Sequence, residues 1–227
     1  DKEIIRTTLG QESCSPMPYR DQNNILYKGT ASVINGEFSL SFIVPKDIAY
    51  HYAQGRISYY AISNDSLVDA GGSDENFIIG GIDNNIIDDY DGPEISLYMN
   101  TRSFIDGGIT DSDPTLIADI FDVSGINMVG NGIGHDITAI LDGNTTIPYI
   151  LNEYYQSNQD DYTRGTVSFS FSSLEEGEHT ITFKIWDVFN NSSEKTINFI
   201  VADDNIFTIA DYKCYPNPFS SYTDFYF

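Results

Sequence analysis

Short runs in which apolar and polar residues alternate recur along the chain, and turn residues separate them. Alternation with a period of about two residues is typical of β-strands with one buried face. From residue 94 onward such runs cover residues 94–99, 115–122, 126–129, 136–141, 146–151, 166–171, 179–188 and 194–201. Short strands at this spacing are typical of a sandwich of about seven strands. The pattern therefore predicts an all-β chain in which residues 94–203 form an immunoglobulin-like β-sandwich.

The stretch 122–144 (DVSGINMVGNGIGHDITAILDGN) lies near the centre of this predicted domain. Glycines at every second position between residues 130 and 134 weaken any helix there. Alternation over residues 137–141 then predicts a strand, which ends at the turn Asp142-Gly143-Asn144. The stretch is thus expected to form one hairpin of an antiparallel domain.

Residues 1–82 are predicted to form an incomplete β-sandwich domain. We expect strands at 25–34 and 37–44 around the turn Asn35-Gly36, because both central positions of such a turn require positive φ. Two further strands are expected at 56–63 and 76–80. Residues 47–53 are expected to form two helical turns that stop at Gly55.

Three other segments complete the predicted organisation. Residues 83–93 (DNNIIDDYDGP) are polar and acidic, and we interpret them as a linker. Residues 152–164 break the rhythm of the strands and are expected to cap one edge of the sandwich. Residues 204–227 contain a proline-rich turn and one strand at 223–227, which is expected to be ordered only by pairing with another strand. Because the chain begins in a strand-like pattern, we expect it to be a fragment of a longer protein.

The charge of the chain excludes some classes of partner. It has 34 Asp and Glu residues against 11 Lys and Arg residues, a formal net charge of -23. Nucleic acids and anionic lipid surfaces need a basic surface, so both are poor partners. Aromatic residues make up 14% of the chain, too many for a disordered acidic tail. No apolar run reaches the roughly 20 residues that a transmembrane helix needs.

Several stretches resemble one protein family closely. They are GTASVINGEFSLSFIVPKDI (29–48), ISYYAISN (57–64), DGPEISLYMN (91–100), SGINMVGNGIGHDITAILDGN (124–144) and LEEGEHTITFKIWDVFNNSSE (174–194). They are similar to the sortases of the type IX secretion system of Bacteroidetes, which are gingipain-like (C25-type) cysteine peptidases. The segment KCYPNPF (213–219) also resembles the beginning of a type IX sorting domain. We therefore interpret residues 204–227 as the truncated start of such a domain.

The resemblance implies a function for the whole family. Its members remove the C-terminal signal of secreted cargo and attach the cargo to lipopolysaccharide at the cell surface. The matching stretches fall in the part that follows the catalytic domain, so no catalytic residue carries over to this chain. The resemblance implies a non-catalytic scaffold on the outer face of the outer membrane. The implied partners are other secretion components, cargo proteins and lipopolysaccharide.

A second hypothesis is an adhesin-type or glycan-binding surface module that the same secretion system exports. The sequence before residue 1 distinguishes the two hypotheses. An α/β domain of the gingipain type would support the sortase, whereas further copies of residues 94–203 would support the adhesin.

Cysteine catalysis has little support in the sequence. A nucleophilic cysteine needs a neighbouring base, and the candidate bases are His51, His135 and His179. Cys14 lies in a proline-containing loop, and we therefore interpret it as a residue without a catalytic role. The sequence does not decide whether Cys14 and Cys214 form a disulfide, because two cysteines alone define no disulfide framework. His135 and Asp136 are adjacent on a predicted strand and point to opposite faces, so we expect His135 to be structural. His179 lies where a loop enters a strand, and we expect it to be structural too.

Aspartates at the ends of two predicted strands are candidate metal ligands. Asp122 and Asp187 each follow the inward-facing residues of their strand in phase, and in an immunoglobulin-like order both strand ends meet the linker. The linker contributes further carboxylates. The candidate set for Ca²⁺ is Asp88, Asp89, Asp91, Asp122 and Asp187. The alternative is that each aspartate accepts hydrogen bonds from the N–H groups of its own loop.

Trp186 is the only tryptophan in the chain. Its neighbours in phase, Thr182 and Lys184, are polar, which suggests that the indole faces outward as part of a partner-binding surface. The other interpretation is that residues 152–164 cover it.

Overall fold

The computed structural model describes residues 4–8, 15–21, 25–48, 52–82, 89–129, 134–202, 213–215, 217–218 and 221–226. These residues are nearly all in strands and their connections. The strands are β1 (Ile4–Thr7), β2 (Pro18–Asp21), β3 (Ala53–Gln54), β4 (Ile57–Ile62), β5 (Asp69–Asp74), β6 (Ile78–Ile79), β7 (Glu94–Met99), β8 (Gly108–Thr110), β9 (Thr115–Phe121), β10 (Thr138–Leu141), β11 (Tyr149–Ile150), β12 (Tyr155–Asn158), β13 (Asp161–Ser170), β14 (Gly177–Trp186), β15 (Ser192–Val201), β16 (Lys213–Tyr215) and β17 (Asp224–Tyr226). One 3₁₀ turn covers Asn152–Tyr154. No helix in the described ranges is long and apolar enough to span a membrane.

Strands β7 to β15 form a sandwich of two sheets. The four-stranded sheet has the order β12-β13-β9-β7, and the five-stranded sheet has the order β11-β10-β14-β15-β8. With β8 left aside, the strands can be lettered A to G in chain order, with β11 as C′. The two sheets are then D-E-B-A and C′-C-F-G, the order of an immunoglobulin-like sandwich. Strand β8 adds a short parallel pairing to β15 at one edge. The all-β class and the sandwich predicted from the alternation are confirmed.

The core of the sandwich follows from strand alternation. Every second residue of β9 is buried, as is every second residue in the second half of β14, so the two strands face each other through their apolar sides. The largest fully buried apolar side chains are Tyr155, Phe183, Phe199, Met99, Leu116, Ile137, Leu151, Ile181, Ile185, Val129 and Val167. Asp122 and Asp187 directly follow these strands and continue the inward-facing phase, so their carboxylates lie at the end of the core.

Residues 25–44 do not form the predicted strand pair. The turn Asn35-Gly36 is present with φ of 54° and 83°, and the bridge between Ile34 and Glu37 closes it. The flanking residues form no ladder beyond this bridge. They hydrogen-bond to the sandwich instead, as between Tyr27 and Ser157 or between Ser32 and Asp160. These contacts replace the partner strand, and an isolated pair of strands is only marginally stable in water.

Three other predicted elements differ from the structure. The helical turns predicted at 47–53 are wrong where the chain is described, because residues 47–48 form a turn and a bend and β3 begins at Ala53, while residues 49–51 lie outside the described residues. The strand at 126–129 is reduced to a bridge between Ile126 and Asp187, since loop hydrogen bonds fix this segment. Residues 152–164 do not cap the sandwich edge, because they supply the 3₁₀ turn, the edge strand β12 and the start of β13.

Outside the sandwich the described strands form two-stranded sheets: β1-β2, β3-β6, β4-β5 and β16-β17. The predicted strand at 223–227 corresponds to β17, which pairs with β16 so that Cys214 lies opposite Phe225. The division into segments 1–82, 83–93, 94–203 and 204–227 stays a prediction.

Candidate functional site

Three carboxylates meet where β9 and β14 end. Asp122 follows β9 in the four-stranded sheet, and Asp187 follows β14 in the five-stranded sheet. Asp89 reaches the same point from the segment before the sandwich. One carboxylate oxygen from each residue lies within 4.8 Å of the other two. The arrangement brings like charges together at the end of an apolar core, so hydrogen bonds or a cation must offset their repulsion.

Asp187 is completely buried and accepts hydrogen bonds from its own loop. Its Oδ1 accepts from the backbone N–H groups of Phe189 at 2.9 Å and Asn191 at 2.7 Å. Its Oδ2 accepts from the Asn191 side-chain amide at 2.7 Å. Burial raises the pKa of Asp187, and the bonds from Asn191 and Phe189 only partly offset this.

Asp122 repeats this arrangement on the facing sheet. Its Oδ1 accepts from the N–H groups of Ser124 at 2.8 Å and Gly125 at 3.1 Å. Gly125 has a φ of 92°, which glycine adopts without strain. Burial raises the pKa of Asp122 to about 6, and repulsion from Asp187 and Asp89 adds to the effect of burial. The two loops therefore supply the expected N–H donors. Asp122 nevertheless holds its proton more tightly than a free aspartate does.

Asp89 ties the segment before the sandwich to both loops. Its Oδ2 accepts a short hydrogen bond from the Ser124 hydroxyl, and its backbone carbonyl accepts from the Asn191 side-chain amide at 3.0 Å. Its Oδ1 accepts from the N–H of Asp91 at 3.1 Å. Asp89 thus bridges the loop that follows β9 and the loop that follows β14.

The structure brings together three of the five predicted calcium ligands. Asp91 is exposed and lies outside the cluster, and Asp88 lies outside the described residues. One converging oxygen from each carboxylate gives three ligands, fewer than the six to eight that Ca²⁺ takes, so water or carbonyl oxygens would have to complete the shell. The N–H donors to Asp122 and Asp187 support the alternative explanation. The calcium site stays a prediction.

A second polar cluster lies beside the first one. Asp47 accepts hydrogen bonds from Asn127 Nδ2 at 2.8 Å, His135 Nδ1 at 2.7 Å and Asn190 Nδ2 at 2.9 Å. Sequence reasoning missed Asp47 because these partners are 80 to 143 residues away. His135 therefore pairs with Asp47 and not with the adjacent Asp136. The structural role expected for His135 agrees with this contact.

Trp186 is half-buried and packs against two side chains of the sandwich. Its ring lies 4.3 Å from the His135 ring, and the Lys184 Nζ lies 4.9 Å from its centre. Its Nε1 is buried and has no hydrogen-bond partner among the described residues. These two side chains cover part of the indole ring. A partner-binding role for Trp186 stays a prediction.

The remaining candidate residues form no catalytic arrangement in the part of the chain that the structure describes. Cys14 and His51 lie outside it, and Cys214 is a free thiol. His179 places Nδ1 2.8 Å from Asp142 and Nε2 2.7 Å from the Glu175 carbonyl. It thus holds two loops together, in agreement with the expected structural role.

Comparison with solved structures gives a match that extends over almost the whole chain. No protein-family model and no curated protein matches the chain. The crystal structure of dimeric latent PorU from Porphyromonas gingivalis matches with 35% sequence identity and a TM-score of 0.52. A second structure, the endo-beta-1,4-mannanase from Thermotoga petrophila, covers 48% of this chain at 12% identity, and its TM-score of 0.31 is too low to support any argument.

The match to PorU extends over 99% of this chain, whereas it covers only 21% of the PorU chain. The similarity therefore concerns one region of PorU and includes both the sandwich and the segments around it. This chain is related to that region of PorU.

Proposed function

We propose that this chain is a non-catalytic β-sandwich region of a cell-surface type IX secretion sortase, and that it positions the enzyme and docks it to its partners. The observation that carries the proposal is the 35% identity to PorU over 99% of the chain. The sequence motifs quoted above support the same family.

The chemistry of the described residues favours a scaffold over a catalyst. The only described cysteine, Cys214, lies in the β16-β17 hairpin, and both described histidines are held in place by carboxylates. A thiol–imidazole pair is the minimum for cysteine peptidase chemistry. In the proposal the catalytic domain belongs to another part of the protein, on the outer face of the outer membrane. The proposed partners are secretion components, cargo proteins and lipopolysaccharide.

Co-sedimentation with membranes tests the docking role. The purified chain is mixed with outer membranes from a type IX-secreting bacterium and from a mutant that lacks the secretion apparatus. We expect the chain to sediment with the first membranes and to remain in solution with the second. Equal sedimentation with both would contradict docking to the apparatus.

A peptidase assay tests the non-catalytic role separately. The purified chain is given a reducing agent and peptides that contain arginine or lysine. We expect no hydrolysis above that of the buffer. Hydrolysis that depends on the thiol and disappears in Cys14→Ser would overturn the proposal.

A further inference from the structure

Residues 25–48, here called the strap, run across the sandwich. Near one end the strap contacts the edge strand β12 and the turn that follows it. Tyr27 Oη lies 3.0 Å from Ser157 Oγ, and the backbone N–H of Asp160 donates to the Thr30 carbonyl at 3.0 Å. Ser157 is buried although β12 is an edge strand, because the strap covers it.

The other end of the strap is fastened to the loop that follows β14. Pro45 is buried, and the Lys46 N–H donates to the Val188 carbonyl at 2.9 Å. The Lys46 ammonium lies 4.5 Å from the centre of the Phe189 ring, a cation–π contact. The backbone and the side chain of Lys46 thus hold the same loop.

Asp47 makes the most extensive contact of the strap. Its carboxylate is about 10% exposed and accepts from Asn127 and His135, in the loop between β9 and β10, and from Asn190, in the loop between β14 and β15. Burial opposes its charge, but the three hydrogen bonds outweigh burial and lower its pKa. A largely covered carboxylate with three side-chain donors is a strong and directional contact.

We propose that Asp47 is a latch that locks the strap to the two loops at the end of the sandwich. Asp89 forms hydrogen bonds to the same two loops at a second position, through Ser124 and Asn191. Two attachment points on one rigid end fix the orientation of the segments that precede the sandwich. The strap therefore moves with the sandwich, although its sequence pattern assigns it to the preceding domain. This inference is independent of the proposed function.

Hydrogen exchange on the full chain tests the latch, with Asp47→Ala as the main variant. Removing a charged acceptor leaves three donors without a partner, and we expect exchange in residues 25–46 to rise about tenfold or more. Protection in β14 and β15 is expected to stay unchanged. Asn190→Ala removes one donor and should raise strap exchange in the same direction by a smaller factor.

Trypsin gives a second measurement, because Lys28 lies in the strap. Cleavage after Lys28 should accelerate in Asp47→Ala and in Asn190→Ala, and neither variant changes the sequence next to that bond. Asp65→Ala is the control, since Asp65 also accepts hydrogen bonds but lies in an exposed turn outside the strap. Unchanged strap exchange, or an equal loss of protection in β14 and β15, would overturn the proposal.

Discussion

Asp122 and Asp187 end strands of opposite sheets, and their carboxylate oxygens lie within 4.8 Å of each other. Each carboxylate accepts hydrogen bonds from two backbone N–H groups of the loop that follows it. The two loops therefore stabilise their own carboxylates, while the carboxylates repel one another across the end of the core.

Asp187→Ala should lower the free energy of unfolding by about 1–3 kcal/mol. The substitution leaves two backbone N–H groups and the Asn191 amide without their acceptor in a buried site. Chemical denaturation at pH 7 measures the loss. Asp91→Ala is the control and should change stability by less than about 0.5 kcal/mol, because Asp91 is exposed. An Asp187→Ala variant with the stability of the wild type would show that these buried hydrogen bonds contribute nothing to the free energy of unfolding.

Chelation separates the two explanations of the carboxylate cluster. If Ca²⁺ binds, EDTA should lower the melting temperature of the wild type but not that of Asp187→Ala, because ligand binding stabilises only a protein that has the site. Differential scanning calorimetry with EDTA and with added Ca²⁺ gives the answer. A wild-type melt that neither addition shifts would leave the hydrogen bonds as the sole explanation.

Asp122→Asn should flatten the pH dependence of stability between pH 4 and pH 6 in the presence of EDTA. The folded-state pKa of Asp122 is about 6, above the ordinary aspartate value of 3.8, so the folded state binds the proton more tightly. The contribution of Asp122 to the free energy of unfolding is complete below the unfolded pKa. It is lost as pH rises through the folded pKa, and the loss amounts to at most about 3 kcal/mol.

The asparagine oxygen still accepts from Ser124 and Gly125 but carries no charge. We therefore expect the variant to be at least as stable as the wild type at pH 7. A variant with the wild-type slope between pH 4 and pH 6 would show that Asp122 does not cause the slope. Denaturation midpoints across this range provide the measurement.

His179 should contribute stability that is lost at higher pH. Burial opposes its charge, but the Glu175 carbonyl and the Asp142 carboxylate outweigh burial and raise its pKa above 6.5. Both ring nitrogens face acceptors, so the imidazolium is the form that satisfies them. The contribution is complete below the unfolded pKa and disappears as pH rises through the folded pKa. NMR titration of the ring measures this pKa, and His179→Gln should remove the corresponding part of the pH dependence.

Strand β17 should exchange its amides slowly in the monomer. It pairs with β16 within the chain in the register Lys213–Tyr226, Cys214–Phe225 and Tyr215–Asp224. Hydrogen exchange at two protein concentrations tests whether the protection is intramolecular. Protection that appears only at the higher concentration would instead indicate pairing between chains.

The sequence by itself determined the long strands β7, β9, β14 and β15 of the sandwich and the phase of their side chains. Alternation is a local property, so β9 and β14 and the inward direction of Asp122 and Asp187 follow from a few neighbouring residues. The N–H donors of the two loops were also predictable, because an aspartate at a strand end bonds to the N–H groups just after it.

Only the tertiary structure decided which distant residues meet these loops. Asp47 lies 143 residues from Asn190. The immunoglobulin-like order did predict that carboxylates of residues 83–93 meet both strand ends, but only the tertiary structure selected Asp89 over Asp91. No local pattern encodes such contacts, because they depend on how the two sheets pack and where the preceding segments cross them. The same reason explains residues 25–44, whose alternation is that of a strand pair but whose hydrogen bonds go to the sandwich. Local periodicity fixes the direction of a side chain, whereas its partner is fixed by packing.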